Sequence, residues 1–519
     1  MLNFNFMKKL IYLLILPLLF ISCSKDFLTK NSLTQISQGT FWKSSQDAYL
    51  GINGIYDALQ DQIQYGGSLN ANAGLPMYDN FGDNCYNSYK FEGPGNFMIG
   101  SANATTGMFS GLWASLYKGI GRANVAIQNI SGMSSTAIPD SLKQQLLGQA
   151  YFLRALFYMN LAVYFQDVPL VLTVQTLDQS YVPKTPYQQV AAQIITDLKA
   201  AANVLPVSYP TSQYGYATKG AALGLLARFY LYNQDFQDAF DATTAVMNLG
   251  QYSLNADYGQ LFTLNGEFSK EIVFSVRFVQ DAIDNGETFS ATYAAVPKVD
   301  EQPMPNLVKD YYCTDGLPIT SSPLYSSSNQ KLNRDPRLSA TVYFKNDTFL
   351  VDTKTVFKGN TATTYGLRKY LRNSASTTGI ATYSPGGQDF YVLRYADILL
   401  MRAEAMVELN QLGGVYSLVD LVRSRVKMPS VESVEGTGLS QAALRQIVRH
   451  ERRVELACEG LRFFDLKRWG LVQQSFQTAL SDNVPGYVPA YQGPKSQVFP
   501  IPQSELDANN KLVQNPVWQ

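Results

Sequence analysis

Histidine is almost missing from this chain: His450 is the only one in 519 residues. A Ser-His-Asp or Cys-His mechanism therefore has one possible base, and it lies inside the charged run Arg449–Arg453, a poor setting for a catalytic imidazole. No zinc-type spacing of cysteine and histidine occurs, and there is no G-x-x-x-x-G-K-[ST] phosphate loop. Charge is scarce as well. Asp, Glu, Lys and Arg make up 16 % of the residues, against about a quarter in ordinary soluble domains. Lys plus Arg equals Asp plus Glu at 41 each, so the general electrostatic case for nucleic acid binding disappears. A glycosidase needs only paired carboxylates, and that catalytic class alone stays open. The balance is towards a binding module.

What the chain does have is uncharged polarity and rings, with 33 Tyr and 28 Phe among numerous Asn and Gln. Such a surface suits neutral ligands such as sugars better than ionic ones. The N-terminus reads as a processing signal: Lys8 and Lys9 precede the apolar stretch Leu10–Ile21, too short to span a bilayer comfortably. No later stretch reads as a transmembrane helix. Phe20-Ile21-Ser22-Cys23 looks like a bacterial lipobox, with Phe20 where Leu is usual. On that reading residues 1–22 are a signal peptide, Cys23 is the acylated N-terminus, and 23–40 is a polar tether to the membrane. An ordinary secretory cleavage site is the alternative. Of the other cysteines, Cys458 falls on the apolar face of a helical segment and reads as a small buried hydrophobe. Cys85 and Cys313 lie in loop-like segments of an exported chain, where they can pair or remain thiols.

Helical periodicity begins after Ser44 and Ser45, with Ala48, Ile52, Ile55 and Leu59 on one face. Ser45 with Ala48 does not complete a capping box. Further helices are predicted from Leu112 onward, from Leu142 until Asp167 and Pro169, and after Pro186. Ala217–Asn233 with Phe236–Leu249, and Leu393–Asn410 with Val415–Lys427, form short-linked pairs. Small residues, including Gly220, Gly224, Ala227 and Ala239, permit close helix approach. The rhythm predicts a mainly α fold of degenerate tetratricopeptide pairs. Two stretches differ in texture. Residues 65–107 lack sustained periodicity and contain YDNFGDNCYNSYKFEG, where aromatic faces can stack on sugar rings and Asp or Asn can meet hydroxyls. Asp79, Asp83, Asn84, Tyr86 and Tyr89 are the candidates here; packing of the loop onto the helices is the competing reading for each. Residues 250–389 are rich in Pro, Ser, Asn and Gly, with short strands predicted at Glu271–Phe278 and Thr341–Phe344.

The run Arg445–Gly470, RQIVRHERRVELACEGLRFFDLKRWG, is unusual. Glu451, Glu455 and Glu459 follow at i,i+4 spacing, as do Arg449 and Arg453, so like charges neighbour one another. Opposite charges must come from elsewhere, with Asp397, Arg402 and Glu404 as candidates, and Gly460 ends the helix. This run resembles the C-terminal signature of the SusD/RagB family of surface nutrient-binding lipoproteins. TFWKSSQDAYLGINGIYDAL, GRANVAIQNI, AYFLRALFYMNLAVYFQDVPLV, ATKGAALGLLARFYLYNQDFQDA, YVLRYADILLMRAEAMVELNQ and the tail FPIPQSELDANNKLVQNP resemble further family segments in order.

The resemblance implies a SusD-like domain over 41–519. Its right-handed helical scaffold would lie mainly in 41–64, 108–249 and 390–470, and its ligand-binding loops mainly in 65–107 and 250–389. By the same resemblance Tyr293, Tyr311, Tyr312 and the segment Tyr365–Tyr370 become candidates. Arg368 can donate paired hydrogen bonds to hydroxyls or serve as a structural ion-pair partner. The implied function is capture of oligosaccharide or polysaccharide at the outer membrane, outside the cell, for a SusC-like TonB-dependent transporter. Peptide import and a non-binding lid are the alternatives. No catalytic residue, metal or cofactor is implied.

Overall fold

The computed structural model describes residues 41–69, 72–88, 91–280, 284–290, 301–350, 355–359, 362–370 and 385–519. Cys23, Tyr89 and Tyr293 fall outside the described residues.

The first helix, α1 (Ser45–Leu59), buries Ala48, Ile52, Ile55 and Leu59 as the periodicity predicts. Its start corrects the sequence reading by one position. Ser44 is the N-cap, and Asp47 completes a capping box with it, satisfying two backbone donors that the first turn leaves open. Seven more helices continue the scaffold: α2 (Gly107–Gly132), α3 (Asp140–Phe165), α4 (Tyr187–Val204), α5 (Lys219–Tyr232), α6 (Phe236–Asn248), α7 (Tyr395–Glu408) and α8 (Val415–Arg425). Each packs on the next, α1 on α2 through to α7 on α8. That serial stacking is the tetratricopeptide-like rhythm expected of the helix pairs. Helix α3 is long and apolar enough to cross a membrane by composition alone, but it is buried between α2 and α4. Its apolar circumference is that of a central core helix.

Close approach is visible where small residues were expected to allow it. A β-carbon on Gly220 would lie 2.1 Å from the Tyr252 hydroxyl, and one on Gly224 would lie 2.4 Å from Leu393. Buried ion pairs add directional ties. Arg154 of α3 donates to Asp197 of α4 at 2.7 and 2.8 Å and to Asn124 of α2 at 2.9 Å, joining three helices through one guanidinium.

The remaining chain forms short pieces around this scaffold. Strand β1 (Cys85–Asn87) pairs antiparallel with β3 (Glu301–Pro303), and β2 (Ile272–Val276) with β4 (Phe390–Arg394). Three shorter antiparallel pairs join Ser68–Leu69 to Asn72–Ala73, Val342–Tyr343 to Gly366–Leu367, and Thr348–Leu350 to Thr355–Val356. Both strands predicted from sequence in 250–389 are present. Helix α9 (Gln441–Leu456) packs on α7, and α10 (Arg462–Arg468) follows it. Phe499, from the C-terminal tail, lies within ring contact of Tyr78, Phe81, Phe97, Phe109, Tyr164 and Phe463. This aromatic cluster fastens the early irregular segment to α2, α3 and α10.

Candidate functional site

The glutamate ridge of α9, with Glu459 just beyond its end, receives its counterions from the end of β4, the end of α8 and the segments around Arg337 and Lys369. Arg337 meets Glu451 at 2.5 Å and Glu455 at 3.0 Å, while Arg425 meets Glu455 at 2.6 Å. Arg394 bridges Glu271, Glu455 and Glu459 at 2.6–2.8 Å, and Lys369 meets Glu459 at 2.8 Å. On the other side, Asp397 joins Arg228 to Arg452, and Glu404 joins Arg468 and the Trp469 indole. Asp397 and Glu404 thus reach α9 through Arg452, while Arg453 of the arginine ridge pairs with Asp83 and Asp310 instead. Arg402, the third expected partner, lies over the Phe240 ring and donates to Thr244.

Several residues expected to face ligand are consumed by this same corner. The Asp79 carboxylate accepts from Asn84 at 2.9 Å, from the Cys458 amide at 2.7 Å and from the Arg462 amide at 3.2 Å. Asp83 pairs with Arg462 at 2.8 Å and Arg453 at 3.3 Å. Burial pushes its carboxyl up, but those guanidiniums outweigh it and hold it at about 2. Asn84 accepts from Arg453 at 2.9 Å. Tyr311 is buried and donates to the Val454 carbonyl at 3.2 Å, and Tyr86 is buried with its ring 4.7 Å from that of Tyr487. Asp79, Asp83, Asn84 and Tyr311 hold the loops to α9 and the residues that follow it, and Tyr86 packs on the C-terminal tail; all five are buried, where they were expected to face ligand. Arg368 is half-buried, donates to the Ser339 carbonyl at 3.0 Å, lies over Tyr343, and borders a polar hollow with Asp257 and Lys427. Tyr312 stacks on His450 at 3.9 Å, and the imidazole lies 2.8 Å from the Asp310 carbonyl. The sole histidine is thus a packed residue.

The side chains best arranged to meet a sugar lie elsewhere, in a cleft that sequence reasoning did not single out. It runs between the outer face of α1, the connection from α4 to α5, and the exit of β2. Two adjoining hollows of about 440 and 230 Å³ share Tyr214, Gly215, Tyr216 and Ser275. Tyr214 and Phe268 stand with ring centroids 4.9 Å apart, and the Arg277 guanidinium lies 4.9 Å from each. Tyr216 packs against Tyr56 at 5.4 Å and Tyr209 at 5.8 Å, and its hydroxyl donates to Asn53 at 2.7 Å. Gly215 has φ +106°, and a β-carbon there would lie 2.5 Å from Arg277; a side chain would displace the arginine from the wall. Phe268 is 60 % exposed, a large apolar face presented to solvent beside hydrogen-bonding groups. That combination of flat ring and lateral donor is what a sugar ring requires. Burial holds the Tyr209 and Tyr214 hydroxyls up at about 12, so the tyrosines are neutral. The readable signal was three tyrosines within Tyr209–Tyr216, flanked by Pro and Gly.

The cleft borders loops that were expected to bind. Asn285 lines it, and Gln60 donates to the Arg277 carbonyl at 2.7 Å. Just beyond, Glu287 bridges to Gly386, and the Thr288 amide donates to the Gly66 carbonyl at 2.6 Å. Phe91, in the early segment, is 66 % exposed.

Beneath Tyr214 sits an acidic pair. Glu267 accepts from the Asp389 amide at 2.9 Å, and Asp389 faces Arg277 at 3.4 Å. Burial first, then the neighbouring Asp389 charge, push the Glu267 carboxyl up to about 8 from its ordinary 4.5. The folded protein therefore holds a proton there that the unfolded chain has lost between those values. Stability from this group is full below about pH 4.5 and declines as pH rises through 8. Glu267→Gln is expected to flatten that decline, read as urea midpoints at pH 5 and pH 8. Equal slopes in the two proteins would refute the assignment.

Comparison with known proteins gives a consistent result. Residues 270–518 match the family model described as the SusD family, and residues 53–231 match one described as starch-binding, associating with the outer membrane. Two SusD-like proteins of Formosa agariphila are similar over nearly their full length. One is 27 % identical over 98 % of this chain and 99 % of its own, and the other 24 % over 95 % of each. Among solved structures, a SusD-like carbohydrate binding protein from Bacteroides fragilis superposes with a TM-score of 0.79 at 28 % identity, covering 91 % of this chain and 100 % of that one. A laminarin binding SusD-like protein gives 0.71 at 26 % identity, over 91 % and 99 %.

Proposed function

The chain belongs to the SusD-like family of carbohydrate-binding proteins, and from that premise we propose that it captures neutral oligosaccharides at the cell surface and passes them to a SusC-like TonB-dependent outer-membrane transporter. In this reading it is a lipoprotein held to the outer membrane through acylated Cys23, faces the exterior, and binds without catalysis, metal or cofactor. Several acyl chains on one cysteine would anchor it firmly, since each buried methylene contributes about 0.8 kcal/mol.

The observation that carries the reading is the Tyr214–Phe268–Arg277 wall, with Tyr56, Tyr209 and Tyr216 along the same cleft. Rings and amide-bearing neighbours, with the one arginine already opposed by Asp389, fit an uncharged glycan. The relative named for laminarin binding points to the same ligand class. Stacking plus a few placed hydrogen bonds on an open surface gives modest affinity, as expected of a receptor that must release its cargo.

Soluble protein beginning at Ser24, screened against neutral polysaccharides, acidic polysaccharides and peptides by affinity gel and calorimetry, tests this reading. Retardation by a neutral glycan is the expected result. Binding of peptides alone would replace it with peptide import, and binding of acidic glycans alone would refute the choice of a neutral ligand.

A further inference from the structure

Cys85 and Cys458 stand 373 positions apart in sequence, yet their sulfurs lie 3.4 Å apart. Both are fully buried. Two independent features of the backbone bring them together. Cys85 is fixed in β1 opposite Pro303. Cys458 was expected on the face of α9, but that helix ends at Leu456 and Cys458 adopts φ +62° just beyond it. This is the left-handed region that glycine or asparagine occupies most easily. Holding a β-carbon there needs compensation from the surroundings. The Cys458 amide donates to Asp79 at 2.7 Å, and the same carboxylate accepts from Asn84, the neighbour of Cys85, at 2.9 Å. One buried carboxylate thus positions both cysteine-bearing segments. Cys313, the partner first considered for Cys85, sits instead at a backbone bridge to Arg334.

We infer that Cys85 and Cys458 form a disulfide in the exported protein, a covalent staple between the early irregular segment and the α9–α10 corner. The two sulfurs are already in contact, and the segments they join are held by Asp79, Asp83, Arg453 and Arg462. The reaction is thiol–disulfide exchange. One cysteine thiolate attacks an external protein or small-molecule disulfide and displaces a thiolate. The second cysteine then displaces the remaining external sulfur, leaving the internal S–S bond and two external thiols. Burial pushes the Cys85 thiol up; at Cys458 the contact with Cys85 lowers the thiol, but burial with the Asp79 and Glu301 charges outweighs it and the net direction is also up, so exchange belongs to the stage before the corner closes, and the finished bond is shielded from reductant. Closing so long a loop constrains the unfolded chain strongly.

The experiment uses the chain from Ser24 onward, refolded in a glutathione buffer containing the disulfide form, with thiols then counted in denaturant and peptides mapped without reduction. Because no sugar is involved, its outcome is independent of the glycan-binding reading. One free thiol, at Cys313, and a linked Cys85–Cys458 peptide are expected. Reduction should lower the melting temperature by roughly 5 °C, in wild type and in Cys313→Ser alike. Three free thiols, or a linkage through Cys313, would overturn the proposal. The peptide map is read on the unaltered sequence, so a variant that fails to fold does not blunt the test.

Discussion

Arg394→Met should lower the unfolding free energy by about 3–5 kcal/mol, the usual consequence of removing one partner from a buried ion pair. Arg394 is 1 % exposed and spends every nitrogen. Its Nε donates to Glu459 at 2.7 Å, one terminal nitrogen to Glu271 at 2.8 Å and Glu455 at 2.6 Å, and the other to Glu459 and the Glu455 carbonyl at 2.7 Å. Methionine fills some of the volume but leaves three carboxylates with fewer cations inside a dry corner. Their mutual repulsion acts at low dielectric, where water cannot screen it. The control is Arg445→Ala, which breaks a 2.6 Å pair with Glu408 that is partly open to solvent; exposed pairs contribute about 0–1 kcal/mol. Urea denaturation of both variants separates the two regimes. An Arg394→Met protein no weaker than Arg445→Ala would show that the network adds nothing to stability.

This network also marks what the sequence could and could not reveal. Glu451, Glu455 and Glu459 repeat at i,i+4 with no alternating cations, which already says that their partners lie off the helix. Which residues reach them is a long-range matter, and the spacing along α9 carries no trace of Arg337 or Lys369. The helix pairs were legible because burying an apolar stripe writes its period into the sequence. The irregular segment 78–93 was harder. Aromatics mixed with Asp and Asn serve a sugar site and a packed loop equally well, since a buried loop must also satisfy its own backbone and polar groups. Asp79, Asp83 and Asn84 turn inward to do so. Conversely, Tyr209, Tyr214 and Tyr216 were overlooked because they connect two scaffold helices. Their partners Phe268 and Arg277 arrive from another part of the chain.

Phe268→Ala is expected to weaken glycan binding about tenfold, since the loss of one stacking ring contributes on the order of 1 kcal/mol. The residue is 60 % exposed, so its truncation should leave the fold intact, which circular dichroism and thermal unfolding would verify. Adding Tyr214→Ala removes the second ring and frees the Arg277 guanidinium from both of its aromatic contacts. The double variant should bind more weakly still, but by less than the roughly hundredfold product of two tenfold losses, because the two rings touch and their contributions are coupled. Tyr311→Phe provides the opposite case. It deletes a buried hydrogen bond to Val454 and should lower stability by about 1 kcal/mol while leaving affinity unchanged. Phe91→Ala then locates the ligand. If this exposed ring controls affinity and Phe268 does not, recognition belongs to the early irregular segment rather than to the cleft beside α1. If both matter, recognition draws on the early segment as well as on the cleft. Affinity unchanged in Phe268→Ala and in the double variant would remove the cleft from the binding surface altogether.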